Sequence, residues 1–194
     1  MSATNRGSQR IESDYYATPP GAIQSLLFNY EITRTAKEII LEPSAGNGII
    51  IEKLRQEGYS NHIHAIELRE EEKENLKRFA DTIQIGNFLD ADPGTKYDAI
   101  IGNPPYSKAQ EFIDKSLSIL KPGGRLIFLL RTNFLESQKR FEWWQGKEPT
   151  RLFVLAKRPS FTGKGTDATS YSWFIWEKSR KANQFIKQQE IRII

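Results

Sequence analysis

The sequence contains no cysteine. That absence removes disulfides, thiolate zinc sites, iron–sulfur clusters and a cysteine nucleophile together. Histidine is nearly missing as well. His62 and His64 are the two present, and their i, i+2 spacing offers no histidine-rich metal site, so no metal is expected. No apolar run approaches the ~20 residues that a membrane-crossing helix needs, so no membrane association is expected. Met1 to Arg10 is polar and lacks the apolar centre of a secretory signal. A reducing, cytoplasmic setting is the expectation.

The 194 residues, 38% hydrophobic and 27% charged, suffice for one domain with a real core. The charge is unevenly placed. Residues 131–194 carry 13 Lys and Arg against 6 Asp and Glu, whereas residues 1–130 carry 15 against 18. A basic C-terminal third is the footprint of a polyanion binder, and a solvated basic face is the plain alternative.

Apolar runs and turn residues divide the chain into alternating elements. Pro19-Pro20 opens a helix that runs to about Tyr30. Strands are expected at 37–42, 62–67, 82–85, 97–101 and 126–130, with helices at 49–57, 69–80 and 108–120 between them. Lys121-Pro122-Gly123-Gly124 reads as a turn, and residues 133–145 as helical. Two late strands, 151–156 and 171–176, have no clear helix between them and suit an antiparallel pair at one edge. The fold class expected is α/β, with a mostly parallel seven-stranded sheet. Residues 1–13 are expected as a flexible lead-in, 14–178 as the domain and 179–194 as a basic tail. That tail could be a frayed helix, a nucleic-acid arm or a docking strand.

Ligands of open α/β sheets bind beyond the carboxyl ends of the strands. Three unusual segments fall there. Gly46-Asn47-Gly48 links a strand to a helix, where glycines let a backbone approach a ligand closely. The full dinucleotide fingerprint wants a third small residue, and Ile51 stands in that place, which disfavours a pyrophosphate. Glu67 ends the next strand, placed to accept hydrogen bonds from a ribose. An adenosine-type ligand without pyrophosphate fits the pair. The third segment is Asn103-Pro104-Pro105-Tyr106, after a buried strand. Two prolines stiffen it and remove two backbone donors. The Asn103 amide oxygen and the Pro104 carbonyl together can grip one amino group, and Tyr106 offers a flat face for a planar ring.

These residues resemble the S-adenosylmethionine-dependent amino-methyltransferases, in particular the DNA adenine-N6 methyltransferases. Tyr16-Ala17-Thr18-Pro19-Pro20 is similar to their N-terminal cofactor motif, Glu42-Pro43-Ser44-Ala45-Gly46-Asn47-Gly48 to their glycine loop, and Asn103 to Tyr106 to their catalytic motif. The resemblance covers about residues 14–178 and implies a Rossmann-like class I methyltransferase domain. It implies Asn103, Pro104, Pro105 and Tyr106 as catalytic residues and S-adenosylmethionine as cofactor. Thr18 would help hold the methionine carboxylate. Glu42 would lie near the methionine amino group, with Ala45, Gly46 and Gly48 lining the loop and Glu67 on the ribose. Asn87 stands where the family has an aspartate beside the cofactor adenine, and Phe88 would pack on that adenine. Phe161 falls where the family carries an aromatic facing a flipped base. Lys157, Arg158 and Lys164 are candidates to track a phosphate backbone.

A separate target-recognition domain has no room here, so target reading would fall to loops or to a protein partner. The implied substrate is nucleic acid, DNA first and RNA as a variant. A protein glutamine-N5 methyltransferase shares the Asn-Pro-Pro-Tyr loop and is the rival. A non-catalytic subunit with the same fold and an NAD-dependent enzyme stand further off.

Overall fold

The computed structural model describes residues 17–92, 94–161, 168–181, 185 and 189–194. The expected lead-in at 1–13, Tyr16 of the first motif and Lys164 lie outside these residues. Pro20 opens helix α1 (Pro20–Asn29), where a missing N–H costs nothing. Strand β1 (Ile39–Glu42) then runs into the glycine loop and helix α2 (Ile49–Gln56), which stops before Gly58 at φ 85°. β2 (His62–Glu67) and β3 (Thr82–Ile85) follow, then β4 (Tyr97–Gly102).

The helix expected over 69–80 is shorter. A single tight turn at Glu70–Glu72 leads into α3 (Lys73–Leu76), and Leu76 is its one buried side chain. The charged run spends itself on i, i+3 ion pairs such as Lys73–Glu70 and Lys77–Glu74 at the surface. Such pairs hold a long helix weakly when no apolar face docks it.

Helix α4 (Ala109–Ser118) precedes the long strand β5 (Leu120–Arg131). The expected turn at 121–124 is instead an irregularity inside β5. Tyr97 pairs with Leu120 and Ala99 with Arg125, so four residues bulge out between two ladder pairings. Gly123, at φ 80°, makes the corner, and Lys121 pairs with Asp98 at 2.7 Å. Residues 132–140 form short tight turns that lead to α5 (Phe141–Trp144), so the helix expected over 133–145 is broken. β6 (Arg151–Val154), β7 (Tyr171–Glu177) and β8 (Glu190–Ile193) complete the chain.

The sheet has eight strands where seven are expected, in the order β3-β2-β1-β4-β5-β7-β6-β8. β7 is antiparallel to both β5 and β6; the remaining pairs are parallel. The extra strand comes from the basic tail. Glu190 to Ile193 pairs with Arg151 to Val154, and the Glu190 carboxylate meets the Arg151 guanidinium at the start of the pair.

Alternate residues of the buried strands feed two cores. Ile127 and Leu129 join Ile40, Ile63 and Trp173 beneath α1 and α2, whereas Leu126, Phe128 and Leu130 join Leu41, Ile100 and the α4 residues Phe112 and Ile113. Buried Trp173 donates its indole N–H to the Ala22 carbonyl at 2.9 Å, which pins α1 to the sheet. The strand order reverses at β1, between β2 and β4. At such a switch point the loops on either side part and leave a crevice at the carboxyl edge.

Candidate active site

The β1 end supplies the first half of that crevice. Glu42 pairs in register with Ala65, so Glu42 and Glu67 lie on one face of neighbouring strands, two positions apart. Both are buried, at 2% and 5% exposure. Glu67 Oε2 accepts the Gly46 N–H at 2.6 Å, and Oε1 accepts both the backbone N–H and the Nε–H of Arg69, at 3.1 and 2.9 Å. Glu42 Oε2 has no hydrogen-bond partner among the described residues. Burial pushes its carboxyl well above the ordinary carboxylate range, and the neighbouring Glu67 charge pushes the same way.

Two left-handed glycines shape the loop between these acids. Gly46 takes φ 55° and Gly48 takes φ 81° as the residue that caps α2. A Cβ on Gly48 would come within 3.2 Å of Leu76, so the loop also lies close against α3. Ala45 is buried, and its N–H reaches the Ile66 carbonyl at 3.0 Å, tying the loop to β2. Ile51, where a dinucleotide site has a small residue, is fully buried in the α2 core. A cationic amino acid with an attached nucleoside suits this half. An acid without a partner waits for an ammonium, and a second acid fixed on the loop backbone has lone pairs left for hydroxyl donors.

The β4 end supplies the second half. Ser44 Oγ donates to the Asn103 carbonyl at 3.3 Å, so the glycine loop and the Asn103–Tyr106 turn touch. Gly102 lets β4 approach the loop, since a Cβ there would sit 3.4 Å from Pro43 Cδ. Pro104 is buried and Asn103 half-buried at the crevice. Tyr106 begins the turn that leads into α4, and its ring touches both cores.

Three aromatic rings line this end. Tyr106 lies 5.7 Å from Tyr171, and Tyr171 lies 4.9 Å from Phe161. Phe161 is thus brought within two ring contacts of Tyr106. Tyr171 begins β7 and pairs with Arg131, the last residue of β5, whose guanidinium sits 5.1 Å from the Tyr106 ring centroid. Tyr171 does not stand out in the sequence, because it reads as the start of an ordinary strand, and Arg131 stands out there only as one of several basic residues. On its outer side Tyr106 borders a cavity of about 470 Å³, reaching Gln110, Phe134 and Arg140.

The other expected residues are spread around this edge. Thr18 is buried just before α1. Phe88 is 2% exposed and packs 5.1 Å from Phe112, in the core beneath α4. Asn87 is exposed and spends its side chain on a turn: Oδ1 accepts the Leu89 N–H at 3.1 Å and Nδ2 donates to Asp90 at 2.7 Å. Lys157 and Arg158 are exposed just after β6, which runs parallel to β5, so they share the carboxyl edge with Tyr106.

Comparison with known proteins agrees with this geometry. Residues 25–145 match the model of the methyltransferase small domain. The type II methyltransferase M.HincII of Haemophilus influenzae is 28% identical, covering 68% of this chain. The chain spans 30% of that relative's length. Among solved structures, the M protein of the type I restriction enzyme EcoKI superposes with a TM-score of 0.70 at 15% identity, covering 93% of this chain and 48% of that one. A putative RNA methyltransferase from Pyrococcus horikoshii gives 0.65 at 19% identity, covering 86% and 88%. Among the described residues no helix is long and apolar enough to cross a membrane. The chain therefore belongs to the methyltransferase small-domain family, with S-adenosylmethionine as its cofactor.

Proposed function

We propose that this chain transfers a methyl group from S-adenosylmethionine to the exocyclic N6 amine of adenine in DNA. The observation that carries the reading is the Asn103–Tyr106 turn, set against the glycine loop through Ser44 and backed by the Tyr106, Tyr171 and Phe161 rings. The M.HincII and EcoKI likenesses support DNA as the substrate class.

The cofactor supplies a methyl group already activated on a sulfonium. Glu67 and the Gly46–Gly48 backbone hold its ribose side, and Glu42 faces its amino group. Thr18 closes the carboxylate end, and Asn87 and Phe88 are assigned to the adenine side. The reluctant partner is the target amine, whose lone pair is delocalised into its ring. Asn103 Oδ1 and the Pro104 carbonyl each accept a hydrogen bond from one N–H of that amine, which localises the lone pair and directs it at the methyl group; the N–CH3 bond forms as the S–CH3 bond breaks to leave a neutral thioether, and the surplus amine proton passes to solvent. Positioning and fixed dipoles then supply the catalysis, with no covalent intermediate on the protein. In a duplex the base must leave the stack, and Tyr106 receives it, with Phe161 behind Tyr171 as the outer wall. Lys157, Arg158 and Lys164 run along the phosphates.

The test is methyl transfer from labelled cofactor with unmethylated DNA, total RNA and a protein extract offered in parallel. Label in N6-methyladenine of DNA, lost in Tyr106→Ala, is the expected result. Label in RNA or in glutamine of protein would replace the substrate. No label in any of them, with cofactor bound, would overturn the proposal.

A further inference from the structure

β8 is the outermost strand of the sheet, and among the described residues nothing pairs with its outer side. Its inner side is accounted for. The Glu190 N–H donates to the Thr150 carbonyl and the Ile194 N–H to the Val154 carbonyl, and the Ile194 carbonyl accepts the Ala156 N–H. A strand turns the backbone groups of successive residues to alternate sides. Glu190, Arg192 and Ile194 therefore bond to β6, and Ile191 and Ile193 aim both N–H and C=O outward. The side chains of the same two residues are exposed, at 74% and 77%. They extend an apolar row that begins in the core, since Ile191 pairs with Leu152 and Ile193 with Val154. Arg192 lies on the opposite face, over the Phe153 ring and bonded to Glu190.

An open edge of this kind is a template for another strand, and proteins that avoid such pairing place a lysine, a proline or a bulge there. β8 has none of these between Glu190 and Ile193. Its sequence is instead complementary to itself. When a second copy lies antiparallel about Ile191, Ile191 of one copy faces Ile191 of the other. Glu190 then faces Arg192 in both directions, and Ile193 faces Gln189. The outward backbone groups of Ile191 and Ile193 fall in hydrogen-bonded pairs, and the opposite charges fall in the closer pairs between them. Sliding one copy by two residues opposes Arg192 to Arg192 or Glu190 to Glu190, which is repulsive. An unrelated strand would satisfy the backbone without matching both charges.

We propose that β8 is a dimerisation edge, at which two copies of this chain join antiparallel about a two-fold axis through Ile191 and make one continuous sheet. The contact closes on itself, so association through it stops at two chains. The carboxyl edges of the two copies point opposite ways, which leaves each crevice open. The proposal is independent of which substrate accepts the methyl group.

The experiment uses the full chain. A single strand pair buries less than a standard interface, so sedimentation should show a mass rising toward two chains with a dissociation constant of roughly 10–200 µM. Amide exchange at Ile191 and Ile193 should slow by at least ~3-fold between about 10 µM and about 1 mM, whereas the Ile194 amide, bonded to β6, should be protected at both. Ile191→Pro removes an outward donor that the chain itself does not use, and Ile191→Lys sets two ammonium groups together on the axis. Each should weaken the dimer at least ~10-fold while the Ile194 amide stays protected. The chain has no cysteine, so an introduced one reports the register. With an added oxidant Ile191→Cys should crosslink two chains, because opposed Cα atoms lie about 5.5 Å apart, whereas Ile193→Cys should not. A chain that is monomeric at about 1 mM, a dimer unaffected by both Ile191→Pro and Ile191→Lys, or equal crosslinking of the two cysteine variants overturns the proposal.

Discussion

The two edges of this one sheet differ in how far their buried acids are paired. At the amino edge Asp98 faces Lys121 at 2.7 Å, Glu177 faces Arg151 at 3.3 Å and Glu38 faces Arg125 at 3.5 Å. Tyr30 adds its hydroxyl to Glu177 at 2.8 Å, and burial with that carboxylate pushes the phenol well up. At the carboxyl edge Glu42 is as deeply buried as any of these groups, yet its Oε2 meets no donor among the described residues. A buried carboxyl without a partner is costly. Its place at the switch point, beside a left-handed glycine loop, is where a ligand can offset that cost. The acids of the amino edge are paired, whereas at the carboxyl edge Glu67 is paired with Arg69 and Glu42 is left for a ligand.

Glu67→Ala should give the largest change to this contrast. It removes the acceptor for Gly46 and the acid assigned to the ribose. Two charge-assisted hydrogen bonds at about 1.5–3 kcal/mol each imply cofactor binding weakened by at least ~100-fold, measured by calorimetry. Near-normal affinity would mean that the loop holds the cofactor without Glu67.

Reversing Lys157, Arg158 and Lys164 to Glu should come next. Nucleic-acid binding should weaken about tenfold or more, and the salt slope should fall by about 0.9 for each duplex phosphate that is no longer neutralised. An unchanged slope would make these residues an ordinary solvated face.

Glu42 gives a smaller, pH-dependent effect. Its folded carboxyl binds a proton well above the ordinary value of 4.5. The folded state then holds a proton that the unfolded chain has released, so this group's stability is present in acid and lost as pH rises through the folded value. Glu42→Gln cannot ionise. Its melting temperature relative to the unaltered chain should therefore rise between pH 5 and pH 8, by a few degrees at ~2–4 °C per kcal/mol. A constant difference would show that Glu42 has found a partner.

Tyr30→Phe probes the other edge. Losing the bond to Glu177 should cost about 1 kcal/mol of stability, with cofactor affinity unaltered. A loss of cofactor affinity here would break the separation of the two edges.

Much of the fold is legible in the sequence where local signals and long-range pairing agree. β2 and β3 follow their apolar runs to the residue, and the loop after β1 and the Asn103 turn announce themselves by glycine and proline. What stays hidden depends on pairing between distant segments. Pro122-Gly123-Gly124 has turn chemistry, but β4 and β7 hold both flanks in the ladder. Ile191 to Ile193 is too short to show a period, and it becomes a strand by pairing with β6 far upstream. Arg69 to Ala80 has helical spacing, but the apolar residues that dock it, Leu76, Phe79 and Ala80, gather at its end. Tyr171 is silent in sequence and Arg131 shows only as a basic residue, because register alone places them beside Tyr106.

The proposed function assigns Asn103 to prepare the amine, and single-turnover methyl transfer by Asn103→Ala tests that role most directly. Cofactor affinity, measured on the same samples, should stay within about threefold of the unaltered chain. The transfer rate should fall by at least ~100-fold, the scale of losing one preorganised polar group in a reaction centre. Transfer at the unaltered rate would contradict this role, and the carboxyl edge would then bind a cofactor whose chemistry lies elsewhere.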